Sequence, residues 1–189
     1  MRTARVFIES ISPYSQSRHY KPEKVTQEEQ KETSAATEAR TWRERCHATD
    51  EGRLFIPPMA FKNCLSEVAK FLSVQIPGKG KATYTKHFEA GLLVLEGLEL
   101  PERKETVLGE WLFVPADGRR GGGKRVEKCF PLIPKWQGTI AVHILDETIS
   151  REVFQQHIEA AGNFIGVGRF RPRNNGFYGR FKVVKITWE

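Results

Sequence analysis

The densest chemistry in this 189-residue chain lies between Gly166 and Phe181, which reads GVGRFRPRNNGFYGRF. Gly166, Gly168, Gly176 and Gly179 permit close backbone approaches that a side chain would block. Successive N–H groups in such a loop can cradle phosphate oxygens. Arg169, Arg171 and Arg173 stand at alternate positions, with Arg180 beyond them; guanidinium groups bind phosphates bidentately or lie across bases. Phe170, Phe177, Tyr178 and Phe181 offer flat faces on which unpaired bases stack, worth about 1–3 kcal/mol each where used. This mixture suits single-stranded nucleic acid better than a membrane or a metal. Phe177 or Phe181 could equally serve a hairpin core, and the glycines tight turns. The three neighbouring arginines are hard to bury together.

The loop belongs to a wider charge pattern. The formal net charge is only +7. Residues 76–88 hold Lys79, Lys81 and Lys86 without an acid, and residues 118–128 hold Arg119, Arg120, Lys124, Arg125 and Lys128 against Glu127. Residues 166–189 hold six cations against Glu189. The three segments carry +12, so the rest of the chain is −5. Charge concentrated in this way favours an anionic partner.

Other chemistry is thinner. Cys46 and His47, taken with Cys64 or His87, lack the paired spacing of a zinc site. Gly121–Lys124 lacks the Walker spacing and its following hydroxyl residue. No cofactor and no metal are expected. Three unpaired cysteines, Cys46, Cys64 and Cys129, read as reduced thiols of a cytoplasmic protein. The first residues alternate without an apolar signal core, and the longest aliphatic run, Leu92–Leu95, is far too short to cross a bilayer. Hydrophobic content of 39% and charged content of 28% fit one soluble globular domain over 1–189.

These residues must be positioned by regular elements. Thr3–Ile11 is partly alternating and predicts a first strand. Residues 14–52 are polar and aperiodic, and are expected to be an insertion with a mobile centre that rejoins the fold near Trp42. Pro57 and Pro58 open a helix whose apolar stripe is Phe61, Leu65, Val68 and Leu72. A loop rich in glycine and lysine follows to about Thr85, and Ala90–Leu95 predicts a short strand. Residues 101–106 read as polar connection. Residues 110–138 predict a basic hairpin insertion, followed by a strand at Gly138–Leu145. A helix with Val153, Phe154, Ile158 and Ala161 inward is expected to stop at Gly162. Arg180–Trp188 is the last strand. Stripped of insertions, the order is that of an α+β, ferredoxin-like (RRM-like) βαββαβ core.

Three blocks then fall in a familiar order. Phe154–Phe181 resembles the C-terminal signature of the CRISPR-associated RAMP superfamily, in which a helix, a glycine-rich loop and a basic strand end a ferredoxin-like unit. Arg5–Pro13 is similar to that family's first strand, and Asp50–Glu67 to its approach to the first helix, with Ile56, Pro57 and Lys62 at the matching positions. Pro58, Met59 and Ala60 replace the small residues usual after the proline, and Asn63 stands where glycine is common. The resemblance implies a backbone-type subunit, with 14–52 and 110–138 as finger- or thumb-like elements. It also implies single-stranded nucleic acid, RNA first, as partner, within a ribonucleoprotein or a homo-oligomer. His19, in Ser17–Tyr20 beside Tyr14 and Arg18, resembles in position the catalytic histidine of the family's repeat-processing endoribonucleases.

The expected interface comprises Arg18, Lys62, Lys79, Lys81, Arg119, Arg120, Lys124, Arg125, Gly166, Gly168, Arg169, Phe170, Arg171, Arg173, Tyr178 and Arg180. Three readings follow. The first is a non-catalytic binder that assembles along a strand. The second is a metal-independent endoribonuclease using His19. The third is an interaction protein, of phage or other mobile-element character, that mimics or blocks a CRISPR effector complex.

Overall fold

A computed structural model describes residues 1–116 and 123–189. The chain is mixed α+β with antiparallel sheets. It opens with β1 (Arg2–Ser10), β2 (Tyr14–Ser15), α1 (Gln27–Lys31) and α2 (Ser34–Thr41). Then come β3 (Arg53–Ile56), α3 (Pro58–Leu72), α4 (Thr85–Ala90), β4 (Leu92–Leu93) and β5 (Leu98–Arg103). The last elements are β6 (Leu108–Pro115), β7 (Arg125–Ile133), β8 (Gln137–Ile144), α5 (Arg151–Ala160) and β9 (Phe181–Trp188).

The largest sheet has the order β4-β8-β1-β9. Val6 of β1 faces Ile140 of β8 on one side and Ile186 of β9 on the other. Alternation along β1 puts Ala4, Val6 and Ile8 wholly inside. The inward stripes of α3 (Phe61, Leu65, Val68) and α5 (Phe154, Ile158) join them in one core. A second sheet, β2-β7-β6, carries the hairpin, and β3 pairs with β5 in a third.

Several expectations change. Residues 27–31 and 34–41 are helical rather than aperiodic, and the buried residues of α2 are Thr37, Glu38 and Thr41. A polar buried face leaves no hydrophobic period to read. Trp42, within the polar segment 14–52, is buried. Leu98–Arg103, read as partly polar connection, pairs as a strand with β3, and Thr85–Ala90 forms a short helix around buried Phe88. Gly162 does not stop α5. The backbone widens into a π turn over Ala161–Ile165, and a Cβ on Gly162 would lie 2.1 Å from the Phe181 carbonyl oxygen. That glycine serves the close approach of β9. Arg119 and Arg120 lie outside the described residues. No helix among the described residues is long and apolar enough to cross a membrane.

His157 ties α5 to α4. Its ring stacks on Phe88 at 4.3 Å, and its Nδ1 donates to the Val153 carbonyl at 2.7 Å. Burial holds its pKa below the ordinary 6.5, against the opposing pull of that carbonyl. The unfolded chain therefore takes up a proton that the folded chain refuses. Stability from this site is complete above pH 6.5 and falls as pH drops from there towards the lower folded pKa. The difference in urea midpoint between wild type and His157→Leu should change with pH in that window. Its expected slope is up to about 1.4 kcal/mol per pH unit.

Candidate nucleic-acid interface

The glycine–arginine loop is a docked structure. The Val167 N–H donates to the Gly179 carbonyl (3.0 Å) and the Tyr178 N–H to that of Phe170 (3.3 Å), closing residues 167–179 on themselves. The loop is then fastened to the chain leaving β1. The Gly179 N–H donates to Pro13 O (2.7 Å), and the Arg169 N–H to Ser15 O (2.8 Å). Gly168 is held at φ +85°, and a Cβ there would sit 2.4 Å from the Tyr14 ring and 2.5 Å from Ser15 O. Only glycine lets the two segments touch. Amides of Val167, Arg169, Asn174, Asn175, Gly176, Tyr178 and Gly179 all donate to carbonyls. The row of free amides expected for a phosphate cradle is therefore largely spent, and side chains are left to bind an anion.

Docking creates a cleft of about 470 Å³ in which three distant segments meet. The loop contributes Gly168, Arg169 and Arg171, and the chain after β1 contributes Tyr14, Gln16 and Ser17. The start of α3 contributes Pro57, Met59, Ala60 and Asn63, and His47 closes one wall. Arg169 also borders a second hollow with Phe170, Arg173, Asn174 and Asn175. The two hollows meet at Arg169.

The arginines differ in how they are held. Arg169 lies 3.8 Å from the Phe130 ring centroid and 5.3 Å from that of Tyr178. Its Nε donates to Ser15 Oγ at 3.3 Å, and Glu110 is 3.8 Å from its Nη2. Burial pulls its pKa below the ordinary value, while Tyr178 and Glu110 oppose that fall. Arg171 donates to Glu67 at 2.5 Å, and Arg173 lies 4.0 Å from the same carboxylate with half of its side chain in solvent. The expectation that all three stand in solvent therefore holds best for Arg173. The acids that cover Arg169 and Arg171 come from β6 and α3.

Tyr178 is buried, and its hydroxyl donates to Glu110. Burial, and then that contact, push its pKa up to about 12. Its ring supports Arg169 and is not offered as a platform. Phe181 is also buried, whereas Phe170 and Phe177 are exposed. Gly166 lies inside the loop. Arg180 donates through Nε to Asn163 O at 3.2 Å. Lys62 does not line the cleft: its Nζ donates to Ser66 Oγ (2.8 Å), Phe88 O (3.1 Å) and Glu89 O (2.8 Å), fastening α4 to α3. Lys79 and Lys81 are exposed between α3 and α4, and Lys124 and Arg125 are exposed at the start of β7. These four lie outside the residues that line the cleft. Arg18 is exposed next to Ser17, its amide donating to Arg45 O at 2.8 Å.

His19 is exposed and is not among the cleft residues. His47 is the histidine in the cleft. Burial lowers its pKa, with Arg18 adding to the fall. Its amide donates to Gln16 Oε1 at 3.2 Å. Gln16 is 1% exposed, and its Nε2 has no hydrogen-bond partner among the described residues. Gln16 carried no signal in the sequence, Asn63 entered only as a departure from the family's usual glycine, and His47 only as a member of a set that lacks zinc spacing. Burial raises the pKa of the Cys46, Cys64 and Cys129 thiols to about 12, 12 and 11. They are inert at neutral pH. Among the described residues no cluster of His, Cys, Asp or Glu is arranged to hold a metal.

Fold and site define an α+β chain that docks an arginine loop over the end of its first strand, with an open, cation-edged cleft. No family model matches the chain, and no curated protein matches it. Among solved structures, Cmr6 from Pyrococcus furiosus is similar over 97% of this chain and 99% of that one, with 13% identity and a TM-score of 0.48.

Proposed function

We propose that this protein is a non-catalytic binder of single-stranded nucleic acid, RNA in the first place, acting as a subunit of a ribonucleoprotein or homo-oligomer. The observation that carries the reading is the meeting of residues 14–17, 57–63 and 168–171 in one cleft edged by Arg169 and Arg171. Residues 57–63 and 168–171 fall within blocks on which the resemblance to RAMP backbone subunits rests, and residues 14–17 directly follow the first of those blocks. A ferredoxin-like βαββαβ core is part of the proposal, supported by the chain order β1, α3, β4, β8, α5, β9 and the sheet order β4-β8-β1-β9. The hairpin of β6 and β7 and the segment 14–52 would be its finger- or thumb-like additions. An open groove with arginines and exposed aromatics tracks a backbone and stacks bases, which suits a flexible strand better than a rigid duplex.

Fluorescence anisotropy with a short single-stranded RNA tests this. Affinity should fall log-linearly with salt, by about 0.7 per phosphate neutralised, and a duplex of equal length should compete poorly. Salt-independent binding, or a preference for the duplex, would contradict the reading. The RNA should remain uncut.

A further inference from the structure

Phe71 and Phe164 form an exposed aromatic pair outside the cleft. Their ring centroids are 5.6 Å apart with a tilt of 33°, and the residues are 49% and 53% exposed. Single exposed apolar residues are ordinary. Here two large ones from different elements touch and both stay half in water.

Their surroundings connect them to the arginine loop. Phe71 lies four residues after Glu67 on α3, so the two share one helix face a turn apart. Glu67 is the carboxylate that holds Arg171 at 2.5 Å and lies 4.0 Å from Arg173. Phe164 sits in the π turn, and the carbonyl of Asn163 just before it accepts from Arg180 Nε at 3.2 Å. Single π turns recur at functional sites. The pair is thus linked to Arg171 and Arg173 through Glu67 and to Arg180 through Asn163, and Arg171 also lines the cleft.

We infer that the Phe71–Phe164 pair is a stacking platform for an unpaired base of a strand that continues out of the cleft past Arg171 and Arg173. This rests on the single-strand reading above and adds a direction to it: the strand leaves the cleft across α3 and the π turn. At 5.6 Å the rings are too close for a base to enter between them, so the base lies against their outer face. An aromatic face flanked by guanidinium groups fits a nucleotide, whose base is flat and whose phosphate is anionic. A purely apolar partner would use the rings alone and make no use of the charge beside them.

The full chain should be titrated with single-stranded RNAs carrying 2-aminopurine at successive positions, comparing wild type, Phe71→Leu/Phe164→Leu and Phe164→Trp. Leucine keeps the packing and removes the aromatic face, and urea midpoints confirm that each variant is folded. The inference expects 2-aminopurine quenching at one register of wild type, loss of that quenching in the double leucine variant, and an affinity about five- to hundredfold lower. Phe164→Trp should retain both. Wild-type binding with unchanged affinity and quenching in the leucine variant would overturn the platform and leave the cleft reading standing. A double variant that loses self-association but not RNA affinity would overturn it too, marking the pair as a contact between copies. Absence of binding by wild type would overturn the cleft reading and the platform together.

Discussion

Glu38→Gln is expected to destabilise the protein by about 3–5 kcal/mol, the usual cost of breaking a buried ion pair from one side. The Glu38 side chain accepts from Arg45 Nη1 (2.5 Å) and Nη2 (3.0 Å), from Lys128 Nζ (2.9 Å) and from the Cys129 amide (2.9 Å). Burial on its own would raise the pKa of this carboxyl. Arg45, Cys129 and Lys128 outweigh burial and hold it below the ordinary 4.5. Glutamine keeps the shape but leaves Arg45, itself buried, without a countercharge. The pair also has a structural consequence. It fastens α2 to β7, and the neighbouring Phe130 ring carries the Arg169 guanidinium. Urea denaturation should show the loss, and limited proteolysis should cut residues 21–45 faster. Because the folded pKa is depressed, the wild-type contribution is complete above pH 4.5 and is lost as pH falls through the lower folded value. An unchanged urea midpoint in the variant would contradict this account of how α2 is held against β7.

The second large effect concerns binding. Arg171→Ala/Arg173→Ala should weaken single-strand affinity about a hundredfold, since a hydrogen bond to a charged group is worth about 1.5–3 kcal/mol. It should also flatten the salt dependence by about 1.4 in log–log slope. The fold should survive. Their common partner Glu67 is partly solvated, so leaving it unpaired costs at most about 1 kcal/mol. Arg169 is a poorer probe than its place in the motif implies. It lies between the Phe130 and Tyr178 rings, and truncating it removes packing as well as charge. A double variant that is folded and binds with wild-type affinity would remove these arginines from the interface.

What the sequence revealed follows from period. β1, β8 and β9 alternate, and the apolar stripe of α3 repeats at helical spacing, so all four are readable in outline. α2 was hidden because it buries Thr37, Glu38 and Thr41, which have no apolar period. β5 was hidden by Pro101, and the π turn by Gly162, which looks like a helix stop. The site was half legible. Glycine, arginine and aromatic residues marked the loop, but local sequence does not show the acids that meet them. Glu110 and Glu67 come from other elements and decide that Arg169 and Arg171 are braced while Arg173 stays open. The place of Gln16 and His47 in the site was invisible for the same reason: the cleft exists only once the loop is docked on Pro13–Ser15.

Photocrosslinking places the strand most directly. A single-stranded RNA bearing photoreactive uridines would be irradiated with the full chain, and crosslinked peptides mapped by mass spectrometry. The account predicts crosslinks within residues 14–20, 57–63 and 164–178. Crosslinks confined to the hollow lined by Thr49, Asp50, Glu51, Arg53 and Glu99 would contradict it.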